Sequence, residues 1–236
     1  MASSRATARQ RQPPLNDEAT ATRQKRAAAV AAAELIEDGM RLGLGTGTTV
    51  AQLLPAIAER GCKGLRCAAT SPATETAARA LGLTVEGLDE LGGLDLAIDG
   101  ADQIDPRGWL VKGGGGALTR EKIVAASARR FVVIASAAKA VDALAPPVPL
   151  ELIAFGAQRT LARLEPARFR DRGPSPDGGL IADYLGAIDD PGELAARLSA
   201  TPGVVEHGLF EPELVSLIVI AREQGIERRA GAKPND

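Results

Sequence analysis

Histidine is almost missing from this sequence: His207 is the only one among 236 residues. A Ser-His-Asp mechanism or a histidine-rich metal site therefore has little to draw on. Cysteine is nearly as scarce. Cys62 and Cys67 have four residues between them (Cys-Lys-Gly-Leu-Arg-Cys), which is not the spacing of a zinc pair, and no second pair completes a site. That spacing favours two free thiols in a reducing compartment. Aromatic residues make up only 3% of the chain and the formal net charge is −2, so nucleic acid finds neither stacking platforms nor a basic balance. No apolar run approaches the length of a membrane span, and the expectation is a soluble, cytoplasmic protein. Whatever chemistry the chain performs must run on carboxylates, lysines and backbone amides.

Small aliphatic residues are abundant. The hydrophobic fraction is 45%, ample for the core of one large domain or of a main domain with a smaller partner. The first sixteen residues (MASSRATARQRQPPLN) are rich in Arg and Ser and contain no acid. Residues 1–16 are expected to form a disordered tail, although a transit peptide begins in the same way.

One stretch, Leu94 to Glu121 (LDLAIDGADQIDPRGWLVKGGGGALTRE), gathers the chemistry. The apolar run Leu94–Ile98 reads as a buried strand that stops at Asp99-Gly100, with Asp102 just beyond. Trp109-Leu110-Val111 leads to Lys112 and to four glycines, Gly113 to Gly116. A helix is expected from about Ala117 to Arg130, with Glu121 in its opening turn. Asp-Gly is also a common turn pair, a glycine run also a linker, and Glu121 also an ordinary first-turn acid. Together, between an apolar strand and a helix, they point to an active site, since backbone that approaches a ligand closely needs glycine.

A second glycine-rich stretch lies earlier, Gly43-Leu44-Gly45-Thr46-Gly47-Thr48-Thr49, between a strand at Met40–Leu44 and a helix at Val50–Arg60. The dinucleotide fingerprint fails because Thr48 stands where its third glycine belongs, and no Gly-Lys-Ser/Thr follows for a Walker loop. What remains is a loop of amides and hydroxyls, Gly45, Thr46, Gly47, Thr48 and Thr49, at a helix start and suited to a small phosphate. A tight turn with Thr48 or Thr49 as N-cap is compatible with the same pattern.

The order of elements argues for a parallel sheet. A helix over Asp17–Asp38, which carries Lys25, precedes the strand before Gly45. Further strands are expected at Leu65–Ala69, Leu83–Val85 and Phe131–Ala135, with Lys139 in the polar turn after the last. At Pro146-Pro147-Val148-Pro149 the pattern changes. Strands at Leu150–Phe155, Arg168–Arg172, Leu180–Leu185 and Val204–Phe210, with helices at Gln158–Leu164 and Pro191–Leu198, give a βαββαβ order of ferredoxin-like type. Val215–Ala221 is apolar enough to rejoin the first sheet. The expected fold is α/β. A Rossmann-like catalytic domain (17–146 and 214–236) holds a small ferredoxin-like α+β domain (147–213) inserted before its last strand.

Three ordered motifs then carry a resemblance: Gly43–Thr49, Asp99-Gly100-Ala101-Asp102, and Lys112-Gly113-Gly114-Gly115-Gly116-Ala117-Leu118-Thr119-Arg120-Glu121-Lys122. With the region Pro202–Phe210, they resemble type A ribose-5-phosphate isomerase from about Lys25 to Ala221. The resemblance implies interconversion of ribose 5-phosphate and ribulose 5-phosphate through an enediol, with no metal or organic cofactor. It implies Glu121 as the base between C1 and C2, and Asp99, Asp102 and Lys112 as the groups handling the sugar oxygens and ring opening. Thr48, Thr49, Lys25 and Lys139 match its phosphate-binding set, and Gly113, Gly114 and Gly115 line the substrate. The implied partner is a small phosphorylated sugar, with neither nucleic acid nor membrane, in a homodimer or homotetramer. Gln103 and Ser136 depart from the family pattern, which has acids there. A sugar-phosphate sensor and an acyl-CoA transferase with a glutamate nucleophile are the alternatives. A sensor needs no base such as Glu121, and activity on an acyl-CoA would mark the transferase.

Overall fold

The computed structural model of the chain describes residues 15–234. The expected tail lies, up to residue 14, outside the described residues. The chain runs through α1 (Leu15–Ala33), β1 (Arg41–Leu44), α2 (Val50–Arg60), β2 (Arg66–Ala69), α3 (Pro72–Ala80), β3 (Thr84–Val85), α4 (Leu88–Leu91) and β4 (Leu94–Gly100). A small hairpin, β5 (Gln103–Ile104) and β6 (Leu110–Val111), precedes α5 (Leu118–Ser127) and β7 (Ala128–Ser136). Then come β8 (Val148–Leu152), α6 (Ala157–Arg163), β9 (Ala167–Phe169), β10 (Leu180–Tyr184), α7 (Pro191–Ser199), β11 (Val204–His207) and β12 (Leu209–Phe210). β13 (Leu217–Arg222) and β14 (Gly225–Ala230) follow.

The main sheet has the order β3-β2-β1-β4-β7-β13-β14. Every pairing from β3 to β13 is parallel, and β14 adds an antiparallel edge through a hairpin that the sequence pattern did not reveal. Parallel strands need cover on both faces, hence their continuous apolar runs. One face packs under α1 and α2, where Ala28, Ala29 and Ala32 are fully buried and let the helix lie close to Ile134 and Val219. The other packs against α5 through Val124, Ala125 and Phe131. The winding reverses between β1 and β4. In such sheets a crevice opens at that point beyond the carboxyl ends of the strands.

A second sheet, β11-β8-β10-β9, is antiparallel throughout and covered by apolar residues of α7, Leu194 and Leu198. Between the two sheets, β12-β6-β5 forms a third, antiparallel ladder.

Several boundaries differ from expectation. The first helix ends at Ala33 rather than Asp38, because the chain tightens into i→i−3 bonds at Leu35 and Ile36 before the left-handed Gly39. α5 stops at Ser127 rather than Arg130, since Ala128 already pairs with Leu94 in the main sheet. The strand expected over Val204–Phe210 breaks at Gly208, which crosses the backbone of Lys112 so closely that a Cβ would overlap the Lys112 carbonyl. The strand expected over Arg168–Arg172 ends at Phe169. Its departing arginines, Arg170 and Arg172, instead bond to carbonyls of the glycine run.

Candidate active site

β1 and β4 lie side by side with Leu44 opposite Ile98, so the loops that follow them face each other across the crevice. One loop supplies Thr46 to Thr49, the other Asp99 to Asp102. A third approach comes from β6, whose end delivers Lys112; the Lys112 N–H donates to the Gly208 carbonyl at 2.8 Å. The glycine run then turns the chain into α5, whose first turn carries Glu121. Gly113 has φ +98 and Gly116 φ +74, a backbone region that other residues rarely adopt.

At the centre, the Lys112 Nζ donates to Asp99 Oδ2 at 2.8 Å and to the Gly100 carbonyl at 2.6 Å. It also lies 3.2 Å from Glu121 Oε2 and 5.3 Å from the centre of the Phe210 ring. Lys112, Asp99 and Glu121 are all buried, at 2%, 3% and 4% exposure. Asp99 Oδ1 accepts from the amides of Thr46 (3.1 Å) and Gly100 (2.7 Å). Glu121 Oε2, in contrast, is buried without a hydrogen-bond partner, because its approach to the ammonium is close but not aligned.

This asymmetry sets the protonation states. Burial pushes the Glu121 carboxyl up to about 7; Asp99 and Asp102 add to the rise and Lys112 opposes it. Burial also raises Asp99, against the Lys112 ammonium and two amides that favour its anion. For Lys112, burial alone would lower the pKa, but the two carboxylates outweigh it and raise it above the usual lysine value. The directions for Lys112 and Asp99 pull against each other. Three donors aimed at Asp99 favour the ionised pair.

Beside this triad lies a cavity of about 120 Å³, which Lys112 and Glu121 line. Thr46, Gly47, Thr48 and Thr49 line one side, with Lys25 from α1 and Lys139 from the turn after β7. Those two lysines are brought together by Gln24, whose side-chain oxygen accepts from the Ala137 amide at 3.1 Å. Asp102, Lys112, Gly113, Gly114, Gly115 and Glu121 line the other side. Asp102 Oδ2 accepts from the Gly114 amide at 2.8 Å. Thr49 occupies the N-cap position of α2, but its hydroxyl makes no capping bond. Among the described residues the amides of Thr48 and Thr49 have no protein acceptor.

Gly45 and Asp99 lie behind the cavity wall rather than on it. A Cβ on Gly45 would overlap the Asp99 carboxylate, so this glycine makes room for the buried acid. Gly100 and Ala101 line the cavity, although only their motif, not their individual roles, was legible. Phe210 lies beneath Lys112; the sequence showed it only as the end of the Pro202–Phe210 region of the resemblance, not as a residue of the site. Gln103 stands aside and grips the backbone of Ala145, donating to its carbonyl (2.7 Å) and accepting from its amide (2.8 Å). An acid there would lose the first bond. A larger cleft of about 850 Å³ beside α3 and α5 holds none of the triad, and its Arg79 and Arg120 are engaged by Glu75 and Asp177. Among the described residues no group of three or more His, Cys, Asp or Glu is arranged to hold a metal ion.

The family model for ribose 5-phosphate isomerase A (phosphoriboisomerase A) matches residues 66–225. Ribose-5-phosphate isomerase A of Caulobacter vibrioides is 45% identical over 220 residues, spanning 87% of this chain and 96% of the relative. The Roseiflexus sp. protein of the same name is 47% identical over 207 residues, spanning 81% and 88%. Among solved structures, ribose 5 phosphate isomerase A from Neisseria gonorrhoeae superposes with a TM-score of 0.86 at 29% identity, covering 89% of this chain and 97% of that one. A D-ribose-5-phosphate isomerase in complex with phospho-erythronic acid gives 0.82 at 33% identity, covering 87% and 97%.

Proposed function

The chain belongs to the ribose 5-phosphate isomerase A family, and on that premise we propose how its residues divide the reaction. The enzyme interconverts D-ribose 5-phosphate and D-ribulose 5-phosphate through an enediol. From aldose to ketose, the Glu121 carboxylate takes the proton from C2 of the open-chain sugar. The C–H electrons form the C1–C2 double bond and the carbonyl electrons move to O1. Lys112 and the glycine amides stabilise the oxyanion developing at O1; the O2 hydroxyl proton passes to O1, and Glu121 returns its proton to C1 as O2 becomes the carbonyl. Asp102 handles the sugar oxygens and ring opening. Asp99 contributes by holding the Lys112 ammonium.

The substrate phosphate sits at Thr46–Thr49 with Lys25 and Lys139. Support comes from the unpaired amides and free Thr49 hydroxyl at a helix start. Anchoring the phosphate orients the reacting carbons, which is worth roughly 7–11 kcal/mol in favourable cases. No cofactor is needed for a redox-neutral proton transfer, and Asp99 is already filled by Lys112 and two amides. We further assign residues 147–213 as a small appended domain that supplies contacts in a homodimer or homotetramer. Its own sheet and the exposed Ile153, Phe155 and Val205 support that reading. The two free cysteines, one buried with its thiol pushed up to about 12, suit the cytoplasm.

The observation that carries the mechanism is the buried Glu121 Oε2 without a hydrogen-bond partner beside Lys112. A carboxyl raised to about 7 is active only when ionised, so activity is present above that value and lost below it. Both kcat and kcat/KM should fall about tenfold per pH unit below about 7. Rates that hold steady down to pH 5 would contradict the assignment. A limb near 6 confined to kcat/KM would instead report the substrate phosphate.

A further inference from the structure

The glycine run has no side chains with which to fix itself, and Gly114 and Gly115 lie exposed at the cavity mouth. Two arginines that leave β9 reach across from the second sheet and take hold of its carbonyls. Arg170 Nη1 donates to Gly113 O at 3.0 Å and to Gly114 O at 3.2 Å. Arg172 donates from Nη1 to Gly114 O at 3.1 Å and from Nη2 to Gly115 O at 2.8 Å. Arg170 is itself clamped: its Nε and Nη2 meet the two oxygens of Asp183 at 2.9 and 2.6 Å, in a pair only 16% and 9% exposed. Arg172 lies flat enough on Gly116 that a Cβ there would come within 2.9 Å of its Cζ.

The consequence follows from the planar trans peptide. Within one peptide unit the carbonyl and the next residue's N–H point to opposite sides. Holding Gly113 O turns the Gly114 N–H the other way, where it meets Asp102 at 2.8 Å. Holding Gly114 O turns the Gly115 N–H away from the arginines; among the described residues it has no protein acceptor, and Gly115 lines the cavity. Holding Gly115 O fixes the Gly116 N–H, which closes on Gly113 O at 3.0 Å.

We propose that Arg170 and Arg172 are positioning residues for the isomerisation, aiming the Gly114 and Gly115 amides at Asp102 and at the developing oxyanion from outside the site. This rests on the reading above that the glycine loop faces the reacting carbons. A planar fork can bind two carbonyls at once, whereas a lysine presents a point charge. The same part of the second sheet steadies the far end of the loop. Glu151 accepts from Thr119, in the first turn of α5, and from Ser175, both at 2.5 Å.

The test compares Arg172→Ala, Arg172→Lys, Arg170→Met and Glu121→Gln with wild type, reading kcat, KM and thermal unfolding. Arg172 is exposed, so its variants should fold even if Arg170→Met does not. Arg172→Ala should lower kcat about 10- to 100-fold, the cost of a small misplacement, with KM changed by less than about threefold. Arg172→Lys should recover little. Added guanidinium ion at low millimolar concentration should restore much of the Arg172→Ala rate, and an equal concentration of sodium chloride should not. A kcat within about twofold of wild type in the arginine variants, or a loss that guanidinium leaves unchanged, would overturn the proposal while an inactive Glu121→Gln kept the site assignment. An active Glu121→Gln would overturn both.

Discussion

Lys112 stands between two carboxylates and can neutralise only one. Asp99 has two amides and the ammonium to hold its negative charge, whereas Glu121 has proximity to the ammonium without an aligned bond. The surplus charge therefore falls on Glu121, whose carboxyl burial pushes up to about 7, which fits the proton shuttle proposed for it. The arrangement depends on a residue with no chemistry of its own. Gly45 leaves the space that the Asp99 carboxylate fills. Gly45→Ala should displace Asp99, release Lys112 and lower kcat by about 100-fold or more, with a loss of roughly 1–3 kcal/mol in stability from overpacking. Kinetics and urea unfolding check both, and wild-type kcat would contradict the role. Asp99, Lys112 and Glu121 were legible because one continuous stretch carries them. Phe210 and Arg172 were not. They meet the site from a strand pair and a turn far along the chain, and the Arg-Phe-Arg-Asp-Arg run reads in sequence only as a strand of the small domain.

At the scale of elements, the site is a meeting of ends: two parallel strands stop side by side, and two helices begin there. The start of α2 has free amides and a Thr49 hydroxyl that caps nothing. Thr49→Val keeps the shape and removes the hydroxyl. KM should rise about tenfold or more, as for a lost bond to a charged group, with kcat changed by less than about threefold. Steady-state kinetics on ribose 5-phosphate check this, and an unchanged KM would remove the phosphate from this loop. The strand-helix alternation was readable because parallel strands are short apolar runs between polar turns. The ends of α5 and of the strand before Gly208 were not, since pairing with distant partners decides them. Ala128 joins Leu94, and Gly208 must pass over Lys112.

At the scale of the molecule, burial is what lifts the carboxyl of an ordinary first-turn glutamate to about 7 and suits it to the proposed role of base. No single element buries Glu121. The main sheet supplies Asp99, the bridging ladder brings Lys112 and Phe210, and the second sheet grips the loop between Lys112 and α5. Composition foretold ample core, but not that Arg170 of one sheet would hold Gly113 of the connection to another. The proposed chemistry therefore rests on Glu121, and the most direct measurement is the steady-state kinetics of Glu121→Gln with ribose 5-phosphate. The amide keeps size and most hydrogen bonding but cannot accept the proton. The role of Glu121 as the base predicts a fall in kcat of roughly 10²- to 10⁴-fold with KM nearly kept. Near-normal turnover in that variant would contradict it and hand the proton to Asp99 or Asp102.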